Sequence, residues 1–374
     1  MRFMKWMVPK AKLSDNQVEI ASEIVRTDDE SHWITGYAGS GKTVVITHAI
    51  NEIASRSPGD TIGFLTYTHA LKDMVTSGLS AKVKKSVEVL TLDAFFHRPK
   101  YFDHLFVDEI QDAEPRHLPK ILGASPHLVV AGDPDQSIYT NRYSYGDLSK
   151  ALGSPNKHVL PEVFRLSKNS LQISKSIYPE AKLVSGAKLR RSDSLPATLL
   201  YENEEDDEIN QVWESARSVA EPELPSAILL PQHKLIHKFA QIIARENGLG
   251  ELPVPTKLNG QVGQGFDYTE FNQFFEKKKF PLMFLGSSYG SFPASDRKEL
   301  VYLLTYHSAK GLDFQNTFIP LLTEKTRIKE NYEDDSLGRR KFLVAVTRAR
   351  YQQNLSYHDE MHTYLSRIPN NLFD

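Results

Sequence analysis

Gly36-Tyr37-Ala38-Gly39-Ser40-Gly41-Lys42-Thr43 has the spacing G-x-x-x-x-G-K-[ST] of a loop that cradles phosphates. At average residue usage the full pattern arises by chance in roughly one chain of this length in a hundred, so it predicts a bound nucleoside triphosphate. The flanks agree. His32-Trp33-Ile34-Thr35 reads as a short buried strand, and beyond Lys42 the residues Val45, Ile46, Ala49, Ile50 and Ile53 recur on one helical face. Gly36, Gly39, Ser40 and Gly41 form the cradle, whose N–H groups turn toward phosphate oxygens with the positive end of the helix dipole behind them. Lys42 is then placed to reach the β- and γ-phosphates, and the Thr43 hydroxyl to hold Mg2+.

A chain of 374 residues has room for two lobes of ordinary size, each with its own core. Hydrophobic content of 40% and charged content of 25% are those of a globular protein. No apolar run approaches the ~20 residues of a membrane span, so no membrane association is expected. The opening Met1 to Lys10 is too broken by charge for a secretory signal, which points to a cytoplasmic location. The absence of cysteine excludes disulfides and thiolate-ligated metals, and the 13 histidines show no H-E-x-x-H spacing, so Mg2+ is the one metal expected. A net charge of −2 means that any nucleic-acid contact is local. Basic candidates are Lys82, Lys84 and Lys85, then Lys277 to Lys279, and the cluster Arg339, Arg340, Lys341, Arg348, Arg350. The acidic run from Glu202 to Glu208 is suited to the start of a helix.

Upstream of the loop, Leu13-Ser14-Asp15-Asn16-Gln17 opens a helix to about Arg26, with Ser14 or Asp15 as N-cap. Downstream, Thr61 to Thr66 and Ser86 to Thr91 read as strands. His104-Leu105-Phe106-Val107 is an apolar strand that ends in the adjacent carboxylates Asp108 and Glu109, a Walker B pattern. Asp108 at the tip is placed to hold the Mg2+ shell, and Glu109 to orient and deprotonate an attacking water. A further buried strand, His127 to Ala131, leads into the polar loop Gly132 to Tyr139. Polar loops at the carboxyl ends of several strands fit the ligand crevice of a parallel sheet. After turn-rich sequence from about Leu148 to Pro155, strands are expected at 197–201, 227–230, 282–285 and 301–306, and a helix from Arg339 to Arg350.

In order, these blocks resemble the UvrD/Rep branch of superfamily 1 helicases, from about Leu13 to Arg350. Leu13 to Gln17 is similar to the Q motif, Gly36 to Thr43 to motif I and Leu65-Thr66-Tyr67-Thr68 to motif Ia. Val107 to Asp112 is close to VDExQD, and Gly132 to Tyr139 to motif III. Leu160 to Arg165, Thr305 to Phe314 and Val344 to Ala349 look like motifs IV, V and VI. The resemblance implies an α/β fold of two RecA-like P-loop NTPase lobes with parallel sheets, residues 1–150 and 151–374, the second with a short insertion around 250–300. The nucleotide is expected in the cleft between them.

The resemblance also implies roles. Gln17 reads the adenine edge and Phe164 stacks on adenine; Gly311 and Asp313 of motif V approach the nucleotide, Asp313 at the ribose. Gln136 senses the γ-phosphate, with Arg165 and Arg348 as arginine fingers. Thr66, Tyr67, Tyr139, Thr305 and His307 match positions that touch nucleic acid. The chain departs from the pattern where Asn141 replaces a base-stacking Trp, leaving Tyr143 or Tyr145 as substitutes, where Asp93 replaces a His, and where Asp313 replaces a Glu. Accessory insertions of larger relatives are nearly absent.

The expected function is thus an ATP- and Mg2+-dependent single-stranded DNA translocase or helicase, with 3′ to 5′ polarity implied by the family. Two alternatives stay open on the same residues: a switch subunit whose ATP-driven closure gates a protein partner, and an RNA-directed ATPase. Duplex unwinding is expected to need a partner protein or a pin formed by Phe280 to Pro293.

Overall fold

Strand after strand in this chain is apolar at consecutive positions, the pattern of sheets covered on both faces. The computed structural model bears this out. It describes residues 6–27, 29–139, 143–180, 188–193, 195–221, 226–257, 266–286, 299–329 and 334–374. The chain divides into two compact units, 5–164 with 185–190, and 165–184 with 191–374.

In the N-terminal unit the strands are β1 (His32–Gly36), β2 (Ile62–Thr66), β3 (Val87–Thr91), β4 (His104–Val107), β5 (His127–Ala131) and β6 (Asn156–Leu160). Their order is β3-β2-β4-β5-β1-β6, with every neighbouring pair parallel. Alternate residues of each strand go to opposite faces. Ile34, Phe64, Phe106, Val129 and Ala131 pack with the apolar stripes of helices Asp15–Arg26 and Lys42–Arg56. Trp33, Leu65, Leu105, Val107, Leu128 and Val130 pack on the other side with Leu92, Phe95, Ile121 and Leu148. Because β1 lies between β5 and β6, the chain leaves the sheet in opposite directions on its two sides, which opens a crevice at the carboxyl ends.

The unit runs beyond the expected boundary at residue 150 as far as Phe164. The reason is β6, which pairs with β1 from His32↔Asn156 to Gly36↔Leu160. The segment expected to be turn-rich begins inside a helix, Tyr145–Ala151, capped by Ser144. A short parallel pair, β7 (Glu162–Val163) with β8 (Lys188–Leu189), completes the unit.

The C-terminal unit has β9 (Thr198–Glu202), β10 (Ser226–Leu230), β11 (Thr256–Lys257), β12 (Phe266–Asp267), β13 (Leu282–Phe284), β14 (Val301–Thr305), β15 (Phe314–Ile319) and β16 (Ala349–His358). Its main sheet runs β13-β14-β10-β15-β16-β9, again parallel throughout. The helix expected over 339–350 is displaced to Asp335–Val346. Thr347 ends it by turning its hydroxyl back onto the carbonyls of Leu343 and Val344. Pairing with both β15 and β9 then draws the following residues into β16, so Arg348 sits at the junction and Arg350 on a strand. The described part of the expected pin, 280–286, contains β13, an edge strand of this sheet; its remainder, 287–293, lies outside the described residues. Among the described residues no helix is long and apolar enough to cross a membrane.

Each unit carries a buried titratable network. In the C-terminal unit the acidic run does open a helix, Glu205–Ser218. Its fully buried Glu208 accepts from the Leu321 N–H at 2.7 Å, the Ser356 hydroxyl at 2.5 Å and His358 Nδ1 at 2.6 Å. The bond to Glu208 raises the pKa of His358. In the N-terminal unit, four histidines on one sheet face cross β4, β5, β1 and β6 at the end away from the phosphate loop. His104 Nε2 is 3.0 Å from the Asp60 carboxylate and its Nδ1 is 2.7 Å from His127 Nδ1. His32 Nε2 faces the Thr27 carbonyl at 3.2 Å and its Nδ1 is 3.0 Å from His158 Nε2. The remaining nitrogen, His127 Nε2, is buried without a partner. Burial, followed by the charges of His104 and His32, pushes His127 down to about 3. Burial likewise lowers His158, against the opposing charge of Glu23.

The two networks carry opposite signs. For His127 and His158 the folded pKa lies below the unfolded value, so the unfolded state takes up more protons once the pH drops below ~6.5 and the N-terminal unit loses stability. For His358 the folded pKa lies above it, so its contribution is complete below ~6.5 and fades as the pH rises through the folded value. Hydrogen exchange followed by peptide from pH 8 to pH 5, corrected for the intrinsic rate, is expected to show protection falling in β1, β4 and β5. Protection near β16 should hold or rise. A parallel fall in both units would contradict this assignment.

Candidate nucleotide-binding site

The phosphate loop is held by what approaches it. Gly41 is the N-cap of helix Lys42–Arg56 with φ 88°, and a Cβ there would lie 2.5 Å from Gln17 Nε2. At Gly36 a Cβ would lie 2.8 Å from the Leu160 carbonyl oxygen, so β6 needs that position bare. Gln17 itself is buried. Its Oε1 accepts from the Ser14 N–H at 3.1 Å, closing a capping box, and its Nε2 donates to the Ser40 carbonyl at 2.9 Å. The residue expected to read adenine thus braces the loop. Phe164, the expected stacking partner, is tied to the same loop through its N–H on the Gly39 carbonyl at 3.0 Å.

Five expected phosphate and metal residues meet here. Lys42 Nζ donates to the Gly36 carbonyl at 2.8 Å, and Gln136 Nε2 donates to that same oxygen at 2.9 Å. The Ser40 hydroxyl is buried without a hydrogen-bond partner, as a donor awaiting a phosphate oxygen would be. The Thr43 hydroxyl donates to Asp108 Oδ2 at 2.6 Å. Burial, reinforced by the charge of neighbouring Glu109, pushes Asp108 up to about 6. Among the described residues no group of three or more His, Cys, Asp or Glu could hold a metal. Two adjoining oxygen donors beside a phosphate loop fit Mg2+, which takes one or two protein ligands and completes its shell with phosphate and water.

Glu109 adopts the left-handed conformation, φ 56°, a costly one for this residue type and one that gathers at functional sites. Its carboxylate accepts from Gln111 Nε2 at 2.5 Å, and Gln111 Oε1 accepts from the Asp133 N–H at 3.1 Å. Gln111 was legible only as the Q of the VDExQD block, with no role attached. Tyr145, one expected substitute for a stacking Trp, is spent inside the unit: its hydroxyl bonds Asp133 and its ring packs on Trp33. Asn141 lies outside the described residues.

In the C-terminal unit, Arg165 and Arg348 both donate to the Leu312 carbonyl, at 3.3 and 3.0 Å. Arg348 also reaches the Val344 carbonyl and the Thr347 hydroxyl. Asp313 pairs with Arg350 at 2.9 Å and Arg165 at 3.5 Å. The carboxylate expected at a ribose is therefore engaged in orienting arginines, following the turn at Gly311, φ 79°. Arg350 had been read only as part of a basic cluster, and that cluster is no single patch. Arg339 pairs with Glu180 and Asp335, and Lys341 is buried.

Of the residues expected at nucleic acid, Tyr67 and Tyr139 stack on each other with ring centroids 5.7 Å apart. Tyr67 also donates to the Asp112 carbonyl at 2.5 Å. Thr66 and Thr305 are buried, 1% and 2% exposed, and the Thr305 hydroxyl accepts from the Ser308 N–H at 3.1 Å. Thr305 thus braces the turn after β14, while the Thr66 hydroxyl is buried without a hydrogen-bond partner. Burial, then the charges of Lys341, His233 and Lys310, push His307 down to about 3, so it is a neutral imidazole at physiological pH.

Two family models match the chain: an AAA domain over residues 21–142 and a UvrD-like helicase C-terminal domain over residues 287–360. A protein of Acanthamoeba polyphaga mimivirus, provisionally named ATP-dependent DNA helicase R568, is 25% identical over 268 residues, 67% of this chain and 34% of its own length. The chain thus spans about a third of that relative. Among solved structures, the PRRSV helicase is 16% identical with a TM-score of 0.45, over 92% of this chain and 54% of its own. Arterivirus nonstructural protein 10, a helicase solved with DNA, is 14% identical with the same score, over 93% and 65%.

If Gln17 braces the loop, Gln17→Ala should weaken binding of fluorescent ATP and GTP analogues alike. The loss of one buried hydrogen bond, ~1 to 1.5 kcal/mol, corresponds to about tenfold in affinity. A loss confined to the adenine nucleotide would restore Gln17 as a base reader.

Proposed function

Because this chain belongs to the UvrD-like superfamily 1 helicases, we propose that it is an ATP-hydrolysing motor that moves along single-stranded DNA. The observation that carries this reading is the convergence in the N-terminal unit: Lys42 and Gln136 on the Gly36 carbonyl, with Thr43 2.6 Å from Asp108. These are the groups that bind triphosphate and metal, gathered at the carboxyl ends of β1, β4 and β5.

In the proposed reaction Lys42 and the loop N–H groups bind the β- and γ-phosphates, while Thr43 and Asp108 hold Mg2+. Bound Mg2+ supplies positive charge that neutralises the phosphates. Glu109 orients the attacking water and takes its proton, and Gln136 contacts the γ-phosphate. Arg165 and Arg348 are assigned to the charge that develops on the transferred phosphoryl group, for which an inserted Arg is worth roughly 10³ to 10⁵ in rate. The stacked Tyr67 and Tyr139 support a base-stacking platform, with each base contributing ~1 to 3 kcal/mol. Polarity from 3′ to 5′ is part of the proposal on family resemblance alone, and a protein partner for duplex unwinding on the near-absence of accessory insertions.

ATPase assays with and without single-stranded DNA test it. Stimulation by DNA is expected, with Lys42→Ala abolishing hydrolysis and Glu109→Gln retaining ATP binding while losing turnover. Arg348→Lys, which keeps the charge but not the planar fork, should lower the maximal rate about a hundredfold or more with a smaller change in binding. Hydrolysis by Lys42→Ala within tenfold of wild type would overturn the reading. Robust unwinding of long duplex by the chain alone would remove the need for a partner.

A further inference from the structure

Gln111 is fully buried two residues beyond Glu109, on a short 3-10 turn, and both ends of its amide are used. The donor end meets the Glu109 carboxylate at 2.5 Å; the acceptor end meets the Asp133 N–H at 3.1 Å, at the start of the loop that carries Gln136. The fit is close enough that a Cβ on Gly132 would lie 2.0 Å from Gln111 Oε1 and 2.9 Å from the Ile110 nitrogen. An amide is the side chain this gap accepts, because one neighbour can only accept a hydrogen bond and the other can only donate one.

We propose that Gln111 is the positioning residue for Glu109, holding its carboxylate at a fixed place relative to the Gly132–Gln136 loop. The inference rests on the proposed role of Glu109 as the base for water attack. Glu109 sits on backbone of left-handed conformation. A hydrogen bond from Gln111 orients one oxygen of the Glu109 carboxylate and couples that orientation to the loop bearing Gln136. Orientation is what a base requires beyond its basicity, since a shift of ~1 Å in a reacting group costs about 10²-fold in rate.

Two variants separate the ends of the amide. Gln111→Glu keeps the size and still accepts from Asp133 but cannot donate to Glu109 when ionised; Gln111→Leu removes both bonds. Both are expected to lower kcat about 10- to 100-fold with ATP affinity, from titration of a fluorescent analogue, within about threefold of wild type. Hydrogen exchange of the 132–136 peptide without nucleotide should accelerate in Gln111→Leu and stay near wild type in Gln111→Glu. In a Glu109→Gln background, either change should add less than about threefold to the residual single-turnover loss, because a residue that acts through Glu109 has nothing left to position. Near-wild-type kcat in both variants, or a full additional loss in that background, would overturn the inference. Absence of ATP hydrolysis by the wild-type chain with single-stranded DNA would instead overturn the reading beneath it.

Discussion

Two carboxylates stand side by side at the end of β4, both withdrawn from water, and the rest of the N-terminal unit can be understood as the means of keeping them there. Taking an ion from water costs several kcal/mol even after relaxation, and a like charge adjacent adds to that cost. The raised pKa of Asp108 is its direct expression. Partial compensation comes from the Thr43 hydroxyl and the Glu109 N–H on Asp108, from the charge of Lys42, and from Gln111 on Glu109. Such an arrangement is expensive as architecture alone. Beside a phosphate cradle it is consistent with the proposed roles of a divalent cation and a nucleophilic water.

The sheet order determines where that cost falls. Pairing β1 with β5 on one side and β6 on the other brings the phosphate loop beside the ends of β4 and β5, although these lie far apart in sequence. At the opposite end of the same strands four histidines are joined as two hydrogen-bonded pairs, His104 with His127 and His32 with His158.

In the C-terminal unit, cations are organised around the turn after β14. Arg165 and Arg348 share one carbonyl, and Asp313 draws in Arg350 beside Arg165. Holding several guanidinium groups together requires such acceptors, because like charges at short range repel and long side chains lose rotamer freedom when ordered. An Asp in motif V, one methylene shorter than the family's Glu, is here a partner for arginine.

The sequence alone determined the class of fold, the phosphate loop, the carboxylate pair and most strands of both sheets. Each of these is local: a glycine spacing, a run of apolar residues closed by charge, a helical stripe. The extent of the first unit, the end of the helix before Arg348 and the occupation of Gln17, Thr66, Thr305 and Asp313 were decided only by tertiary structure. β6 belongs to the first sheet because β1 offers it an unpaired edge, and Arg348 leaves the helix because β15 and β9 draw the following residues into β16. Gln111 was visible as a letter in a motif, but its two partners come from opposite sides of a gap between β4 and β5. A single chain records which hydrogen-bonding groups it has, and the packing of distant segments decides which of them meet.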